Sequence, residues 1–282
     1  MKEMISISKL DFRYGGQSRL LSNLDLKIDA GKVHGLFGIN GEGKSTLLKL
    51  ISGAIFPLRG EISVLGFVPK DRKPKMLQDV FFLTEEFPET SISIKLFTKI
   101  YAPFYPKFSI GRFQGYLNEF ALDNNTPDIS KLSYGQKKKF WIAFGLATNS
   151  KIIMLDEPTN GLDIPSKGQF RRMIDSVKSK ECCIIISSHQ VLDLENIIDN
   201  IIIMDNHDVL FNASIRSILK KIYFKEGNDG EVDEVLIYKE DTREGLFKIC
   251  ENKTEKESKL NIELLFNAAI SQKVIFKNLF AN

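Results

Sequence analysis

The chain has 282 residues, of which 43% are hydrophobic and 27% are charged, a composition that excludes collagen-like, low-complexity and disordered proteins. Its 39 Lys and Arg against 36 Asp and Glu leave a net charge of +3, too small a surplus to indicate general nucleic-acid binding. The three cysteines lack metal-ligand spacing, the N-terminus lacks a signal-peptide pattern, and no apolar run reaches the roughly 18 residues of a membrane-spanning helix. We therefore expect a protein of the reducing cytosol.

The N-terminal region combines two kinds of strand with a glycine-rich loop. Apolar and polar residues alternate over Ile5–Ser8 and Leu24–Ile28, which predicts half-buried antiparallel strands. A continuous apolar strand at Val33–Phe37 then runs into the glycine-rich stretch Gly38–Thr46 and a helix that includes Leu47–Ile51. The order strand, glycine loop, helix is typical of a phosphate-binding loop.

The glycine-rich stretch carries the first chemical signal. Gly38, Gly43, Lys44 and Ser45 fit the pattern G-x-x-x-x-G-K-[ST], in which backbone N–H groups converge on phosphate at a helix N-terminus. The lysine ammonium meets phosphate charge, and the serine hydroxyl is a hard oxygen ligand suited to Mg²⁺. The sequence therefore predicts a site for a nucleoside triphosphate and Mg²⁺.

The middle of the chain, Phe87–Leu132, is helical and aromatic-rich and is interrupted by Pro and Gly, which indicates an inserted helical subdomain. We expect its aromatic side chains to form the core of this subdomain, the alternative being that part of the cluster docks a partner helix: Phe97, Tyr101, Phe104, Tyr105, Phe108 and Phe113. Lys137–Lys139 opens the next helix. We interpret this run as a solvated helix face, the alternative being a patch for anionic lipid or nucleic acid.

Buried strands return at Ile152–Leu155, Cys183–Ile186 and Ile201–Met204, and a helix at Ile164–Val177 separates the first two. This alternation predicts a parallel α/β sheet. The strand at Ile152 ends in Asp156 and Glu157, which places one carboxylate to hold a magnesium shell and a second to activate water.

Beyond about Lys221 the pattern changes. Strand-like segments at Val232–Tyr238 and Leu246–Cys250 precede a charged run, and Leu260–Ile270 is amphipathic with helical spacing. We expect a small C-terminal α/β segment here, lying outside the catalytic site.

A resemblance to a known family follows from three motifs in their expected order. The residues Leu132-Ser133-Tyr134-Gly135-Gln136 resemble the LSGGQ signature, and Asp156–Asp163 and Ser187-Ser188-His189 follow it. Over residues 5 to about 215 the chain resembles the ABC-type ATPases. The resemblance implies a P-loop NTPase fold of the α/β class, with a RecA-like, mainly parallel core sheet and an N-terminal antiparallel β subdomain. It divides the chain into a nucleotide-binding domain, 1–220, with a helical subdomain at about 87–135, and an accessory segment, 221–282.

The resemblance also implies roles for individual residues. Two nucleotide-binding domains would pack head to tail, each ATP lying between the phosphate loop of one and the signature of the other. Glu157 would be the general base, His189 would bond the γ-phosphate, Asp163 would couple the two sites, and Tyr14 would stack on adenine unless it is merely a strand-end tyrosine. By the same resemblance, the remaining positions would bind phosphate (Asn40, Gly41, Gly43, Lys44, Ser45, Thr46), Mg²⁺ (Ser45, Asp156, Glu85) or the γ-phosphate of the partner's ATP (Ser133, Gly135, Gln136).

Two positions depart from the family pattern. The glutamine of the Q-loop is replaced by Glu85, or by Glu86 if the alignment slips by one. A carboxylate there still ligates Mg²⁺ but adds negative charge beside phosphate. Tyr134 replaces the first glycine of the signature and puts a large ring at the expected dimer interface.

From this resemblance we expect the ATP-hydrolysing subunit of a membrane transporter, peripheral on the inner face of the membrane, with separate membrane-spanning permease subunits. Tyr105–Phe108 and the tail at Leu260–Ala268 are similar to the ABC-2 export group, which favours an exporter. The alternative is a non-transport ABC ATPase acting on DNA or the ribosome. That class would need a coiled-coil arm, a second ATPase cassette or a strongly basic surface, and the sequence shows none of these; we expect no nucleic-acid partner.

Overall fold

The computed structural model of the chain describes residues 2–16, 18–227, 235–243 and 245–280. The strands, in chain order, are β1 (Glu3–Phe12), β2 (Leu21–Asp29), β3 (Lys32–Phe37), β4 (Arg59–Val64), β5 (Val80–Leu83), β6 (Ile152–Asp156), β7 (Cys183–Ser188), β8 (Asn200–Asp205), β9 (Asp208–Ser214), β10 (Ile222–Glu226), β11 (Leu236–Thr242) and β12 (Gly245–Glu251).

The helices are α1 (Lys44–Ser52), α2 (Pro74–Leu77), α3 (Ile94–Tyr101), α4 (Ile110–Glu119), α5 (Tyr134–Ala147), α6 (Ile164–Val177), α7 (Ile215–Lys221), α8 (Ile262–Ser271) and α9 (Lys273–Phe280). Within the described ranges, none of them has the length and apolar character that crossing a membrane requires.

The central sheet has six strands in the order β5-β6-β7-β3-β8-β9. The first four neighbouring pairs are parallel, and β9 pairs antiparallel with β8 at one edge. Every residue of β6, β7 and β8 is buried, which is why these strands read as unbroken apolar runs in the sequence. Because β3, β6 and β7 are adjacent and parallel, the segments that follow them meet at one edge of the sheet. The predicted mainly parallel core is confirmed.

A second sheet, β2-β1-β4, is antiparallel throughout and confirms the predicted N-terminal β subdomain. Strands β4 and β5 were not predicted from the sequence. In β4 the first three residues are exposed and only Ile62 and Val64 are buried, so the strand lacks a clear alternation. Four residues, the length of β5, are too few to show a period.

The helical subdomain contains α3 and α4, packed against α5. Phe97 and Phe113 are buried and contact Phe140 and Phe144 of α5, as the sequence predicts. The prediction is wrong for Phe104, which is 67% exposed, and for Tyr101. The Tyr101 ring stacks on the outer side of Phe97, with centroids 4.3 Å apart, and Phe104 lies in the 3₁₀ turn that follows α3.

The C-terminal segment forms an antiparallel sheet, β10-β12-β11, and two helices, α8 and α9. Its buried residues, Leu265 and Phe276 among them, belong to the same apolar cluster as the helical subdomain and one face of the central sheet. Phe276 and Phe280 stack on Phe211 of β9, with centroids 5.9 and 4.9 Å from it. The predicted helix at Leu260–Ile270 is found as α8, whereas α9 was not predicted.

The two strand predictions in this segment have different outcomes. The one at Leu246–Cys250 is found within β12. Residues 232–234 of the predicted strand at Val232–Tyr238 lie outside the described residues, and its remainder overlaps β11, which begins at Leu236.

A buried histidine in β3 makes stability depend on pH. His34 is buried, its Nε2 bonds the carbonyl oxygen of Asp29 at 3.1 Å, and burial lowers its pKa from 6.5 to about 4. Below about pH 6.5, the ordinary pKa of a histidine, the unfolded chain binds a proton at His34 more readily than the folded chain does. The free energy of unfolding therefore falls as the pH drops from about 6.5 toward 4.

Between about pH 7.5 and about pH 5 we expect the wild-type unfolding free energy to fall by about 2 kcal/mol more than that of His34→Gln, which keeps a donor toward Asp29. Urea titrations at the two pH values measure this difference, with the exposed His207→Gln as control. Equal losses in wild type and His34→Gln would contradict the assignment.

Candidate functional site

The loop between β3 and α1 has the backbone geometry of an anion cradle. Gly41 and Gly43 have φ values of 93° and 96°, a left-handed conformation that is strained for other residues. Gly43 is the N-cap of α1, and no side chain that the structure describes caps the helix. The first N–H groups of α1 are therefore available to an anion such as phosphate.

The Lys44 side chain folds back over this loop. It is buried, and its Nζ donates to the carbonyl oxygens of Gly38 at 2.7 Å and Ile39 at 3.3 Å. Burial lowers the pKa of Lys44, and the carboxylates of Glu157 and Asp156 oppose that effect. The ammonium thus lies between the loop and the strand-end carboxylates, where phosphate oxygens can replace the two carbonyls as acceptors.

An aromatic ring stands at the start of α1. The Tyr14 hydroxyl shares a hydrogen bond with Thr46 Oγ1 at 3.2 Å, and Phe12 packs edge-on against the ring at 4.9 Å. Tyr14 is 38% exposed at this position, beside the phosphate loop. Stacking on a base stays a prediction. Asn40 is exposed and Ser45 is half-buried in the same loop.

Two carboxylates follow β6 and are fixed by β7. Asp156 Oδ1 accepts a hydrogen bond of 2.5 Å from Ser187 Oγ. Glu157 has a φ of 47°, which is unfavourable for a residue with a side chain, and its backbone N–H donates to the carbonyl oxygen and Oγ of Ser187 at 3.2 and 3.1 Å. A strained backbone of this kind persists only where the surroundings hold it, and it is typical of functional sites.

The Glu157 carboxylate has one engaged oxygen and one free oxygen. His189 Nδ1 lies 2.9 Å from Oε1, while Oε2 is buried and makes no hydrogen bond within the described residues. A buried carboxylate oxygen without a donor is costly unless water or a ligand reaches it. Oε2 is therefore the atom placed to accept a proton from a bound water.

The two Q-loop candidates take different positions. The Glu85 carboxylate acts on the pKa of Lys44, and its Oε1 accepts from Asn160 Nδ2 at 3.4 Å. The carbonyl oxygen of Glu86 instead accepts from the Thr84 hydroxyl, a contact within the loop itself. The Glu85 carboxylate is thus close enough to act on the Lys44 ammonium, and burial, together with the carboxylates of Glu85 and Glu86, raises the pKa of Tyr134.

The signature residues open α5 as a capping box. Ser133 Oγ accepts from the N–H of Gln136 at 3.2 Å, and Gln136 Oε1 accepts from the N–H of Ser133 at 2.9 Å. Ser133 and Gln136 are exposed and Gly135 is half-buried. Among the residues described, no hydrogen bond or ion pair joins this helix start to the phosphate loop, so the site of one chain lacks the contact that the resemblance implies.

Asp163 is the N-cap of α6. Its Oδ1 accepts from the N–H of Ser166 at 2.8 Å, and hydrogen bonds from Ser166 hold the pKa of Asp163 below its usual value. Lys139 Nζ lies 3.8 Å from the other carboxylate oxygen. The side chain is exposed at the surface that carries the signature, a placement open to a second domain.

Tyr134, which replaces a glycine of the family pattern, is packed within the chain. Its ring stacks on Phe87 with centroids 5.4 Å apart and lies over Gly161, where an added Cβ would come within 2.7 Å of the ring. The large side chain thus covers the loop before α6. The signature backbone still forms the start of α5, with Ser133 as its N-cap.

The lysine run after the signature is not a uniformly solvated face, and that interpretation is wrong for Lys138. Lys138 is 0% exposed, whereas Lys137 and Lys139 are half-buried. The signal that could have shown this is helical spacing, since Lys138 precedes the buried Ile142 by one turn of α5 and shares its face.

The donor set fits Mg²⁺. Ser45 offers a hydroxyl, and Asp156 and Glu85 offer carboxylates, all hard oxygen ligands. Across the described ranges there is no cluster of three His, Cys, Asp or Glu side chains that could hold a metal ion by themselves. A magnesium ion at this site would take its remaining ligands from phosphate and water, as is usual for Mg²⁺.

The chain is similar to known proteins in sequence and in fold. The sequence model of the ABC transporter family matches residues 21–160. The chain is 30% identical over 224 residues to the ABC transporter ATP-binding protein YtrB of Bacillus subtilis, covering 79% of this chain and 75% of YtrB.

Two further similarities extend the comparison. The chain is 31% identical over 202 residues to the lantibiotic transport ATP-binding protein SrtF of Streptococcus pyogenes, covering 70% of this chain and 84% of SrtF. A dimeric post-hydrolysis structure of the ATP-binding cassette MJ0796 bound to ADP and Pi has the same fold, with a TM-score of 0.66 and 21% identity over 76% of this chain and 99% of that chain.

Proposed function

Because the chain belongs to the ABC transporter family, we propose that it is the ATP-hydrolysing subunit of a membrane transporter whose membrane-spanning subunits are separate chains. The observation that carries the proposal is the Glu157 carboxylate, with Oε1 held by His189 and the buried Oε2 given no donor by the described part of the chain. This is the geometry that a general base for water needs, and it stands at the same sheet edge as the phosphate loop.

In the proposed reaction, water attacks the γ-phosphorus of ATP and passes a proton to Glu157 Oε2. The bond between the γ-phosphorus and the β–γ bridging oxygen breaks, and the electron pair leaves with ADP. Lys44 and the N–H groups at the start of α1 stabilise the negative charge that develops on the phosphate oxygens. Bound Mg²⁺, held by Ser45, Asp156 and Glu85, would supply further neutralisation of phosphate charge.

We propose that a second nucleotide-binding domain, identical or paralogous, completes each site. The exposed signature start at Ser133 and the exposed Asp163 support this, because within the described ranges of one chain neither bonds the phosphate loop. A domain packed head to tail would bring Ser133, Gly135 and Gln136 of one copy to the ATP of the other. Closure on two ATP molecules would then do mechanical work on the membrane subunits.

Export is the direction that we propose, on the similarity of Tyr105–Phe108 and the C-terminal tail to the ABC-2 export group. An exposed apolar strip on the helical subdomain supports docking of a permease at the inner face of the membrane: Leu96, Ile100, Tyr101 and Phe104. Leu96 and Ile100 are four residues apart and so lie on one face of α3.

Affinity capture through a tagged chain from detergent-solubilised membranes tests the proposal. A co-purifying protein with several membrane spans is the expected result. Co-purifying ribosomes or DNA, in place of a membrane protein, would favour the alternative of a non-transport ABC ATPase.

Replacing Glu85 with glutamine is expected to change the magnesium dependence of hydrolysis. Two unit charges about 4 Å apart interact by roughly 4 kcal/mol at an effective dielectric constant near 20, before relaxation. Glu85 attracts Mg²⁺ and repels the phosphates, so Glu85→Gln should bind metal-free ATP several-fold more tightly and need several-fold more Mg²⁺ for half-maximal rate.

Magnesium titrations of the ATPase rate and metal-free ATP-binding isotherms measure both effects, with Glu86→Gln as the matched control. Unchanged curves for Glu85→Gln together with shifted curves for Glu86→Gln would assign the Q-loop position to Glu86.

A further inference from the structure

Lys138 is the feature that the proposed reaction leaves unused. It lies one turn into α5, is completely buried, and carries an ammonium group in a place where an isolated charge would be costly. Burial lowers the pKa of Lys138, and the carboxylates of Glu85, Asp156 and Glu157 oppose this. These three carboxylates therefore offset part of the cost of burying the ammonium.

The ammonium joins two segments that are remote in sequence. Lys138 Nζ donates to the carbonyl oxygen of Glu85 at 3.2 Å and to the carbonyl oxygen of Glu157 at 3.2 Å. The first acceptor follows β5 and the second follows β6, so one side chain fixes the distance between the Q-loop and the loop of the general base.

Two aromatic rings complete the enclosure. The ammonium lies 5.6 Å from the ring centroid of Phe87 and 5.5 Å from that of Tyr134, distances at which a cation is attracted to an aromatic ring. The same two rings stack on each other. Tyr134, the departure from the signature pattern, thus forms one wall of the pocket that holds Lys138.

The contact with Glu157 matters because of that residue's backbone. Its positive φ turns the peptide into an unfavourable orientation that the surroundings must hold, with Ser187 bonding its N–H and Lys138 bonding its carbonyl oxygen. Without the second bond, the peptide is free to rotate toward a more favourable φ. The carboxylate would then move away from His189.

We propose that Lys138 is a positioning residue for ATP hydrolysis, which holds Glu157 in its reactive orientation and ties it to the Q-loop at Glu85. The inference rests on the proposed function, since it acts through Glu157 as the base. It assigns to Tyr134 and Phe87 the role of enclosing the lysine.

The test is a double-mutant cycle on the full chain, with Lys138→Met measured in the wild-type and Glu157→Gln backgrounds. Methionine has a similar volume, and replacing a buried charge by an apolar side chain is often tolerated by the fold. Misplacement of a reacting group by about 1 Å costs on the order of 100-fold in rate, so we expect Lys138→Met to lower kcat by about 10- to 100-fold with ATP affinity within about twofold of wild type. In the Glu157→Gln background the same change should alter the residual single-turnover rate by less than about threefold, because the group it positions is gone.

Two further variants serve as controls. Lys137→Met, at the half-buried neighbouring position, should leave kcat unchanged, and Lys138→Arg, which keeps a cation with N–H donors, should recover part of the loss. If Lys138→Met does not fold, Lys138→Arg is compared with Lys138→Gln in the same cycle. Equal losses in both backgrounds, or a wild-type kcat in Lys138→Met, would overturn the inference. Failure of Glu157→Gln itself to lower hydrolysis would instead count against the proposed function.

Discussion

Glu157→Gln is expected to lower ATP turnover by about 1,000-fold while ATP still binds. The amide keeps the shape of the side chain and the contact with His189, but it has no basic oxygen to accept the proton of water, and general-base catalysis contributes about 10²- to 10⁴-fold. The oxygen lost is Oε2, the buried acceptor to which no described residue donates.

Single-turnover hydrolysis and an equilibrium ATP-binding isotherm measure the two parts of this expectation. The control is Glu181→Gln, an exposed carboxylate before β7, which should hydrolyse ATP at the wild-type rate. Glu157→Gln should also remain a closed, ATP-bound dimer, which light scattering with Mg-ATP detects. Turnover within a few-fold of wild type would exclude Glu157 as the base.

Lys44→Met should weaken ATP binding by about 100-fold or more. Breaking a buried charge pair by removing one partner typically costs about 3–5 kcal/mol, because the remaining charge is left uncompensated. Here the remaining charges are the phosphates of ATP, with Asp156 and Glu157 close enough to act on the Lys44 ammonium. Without the cation, these carboxylates would repel the nucleotide.

Calorimetric titration with ATP measures the loss, and Lys49→Met in the last turn of the same helix is the control. Lys49 is half-buried and lies beyond the first turn of α1, so its replacement should leave the affinity unchanged. An ATP affinity within about twofold of wild type for Lys44→Met would show that the lysine does not reach the phosphates.

The sequence predicted the parts of the fold whose residues are buried on both sides or alternate strictly. Strands β6, β7 and β8 are such cases, since a strand covered on both faces is apolar along its whole length. Edge strand β4 and the short β5 were not predicted, because the burial of their residues depends on which neighbouring elements cover them. The same holds for Phe104, whose exposure is decided by the turn after α3 and not by its own apolar character.

The candidate site was predictable where chemistry requires neighbouring residues along the chain. The glycine loop with Lys44 and the pair Asp156 and Glu157 are read directly, because strand ends and helix starts fix their side chains locally. Lys138 was not predictable in the same way. Its partners are carbonyl oxygens at positions 85 and 157, and contacts over such separations appear only once the sheet has brought β5 and β6 together.

Whether this chain supplies the ATPase of a membrane transporter is decided by measuring the ATPase activity of the complex captured from membranes through it. We expect a complex of the wild-type chain with a membrane-spanning partner to hydrolyse ATP, and a complex of the same composition with Glu157→Gln not to. Equal hydrolysis by the two complexes, or capture without any membrane-spanning protein, would contradict the claim.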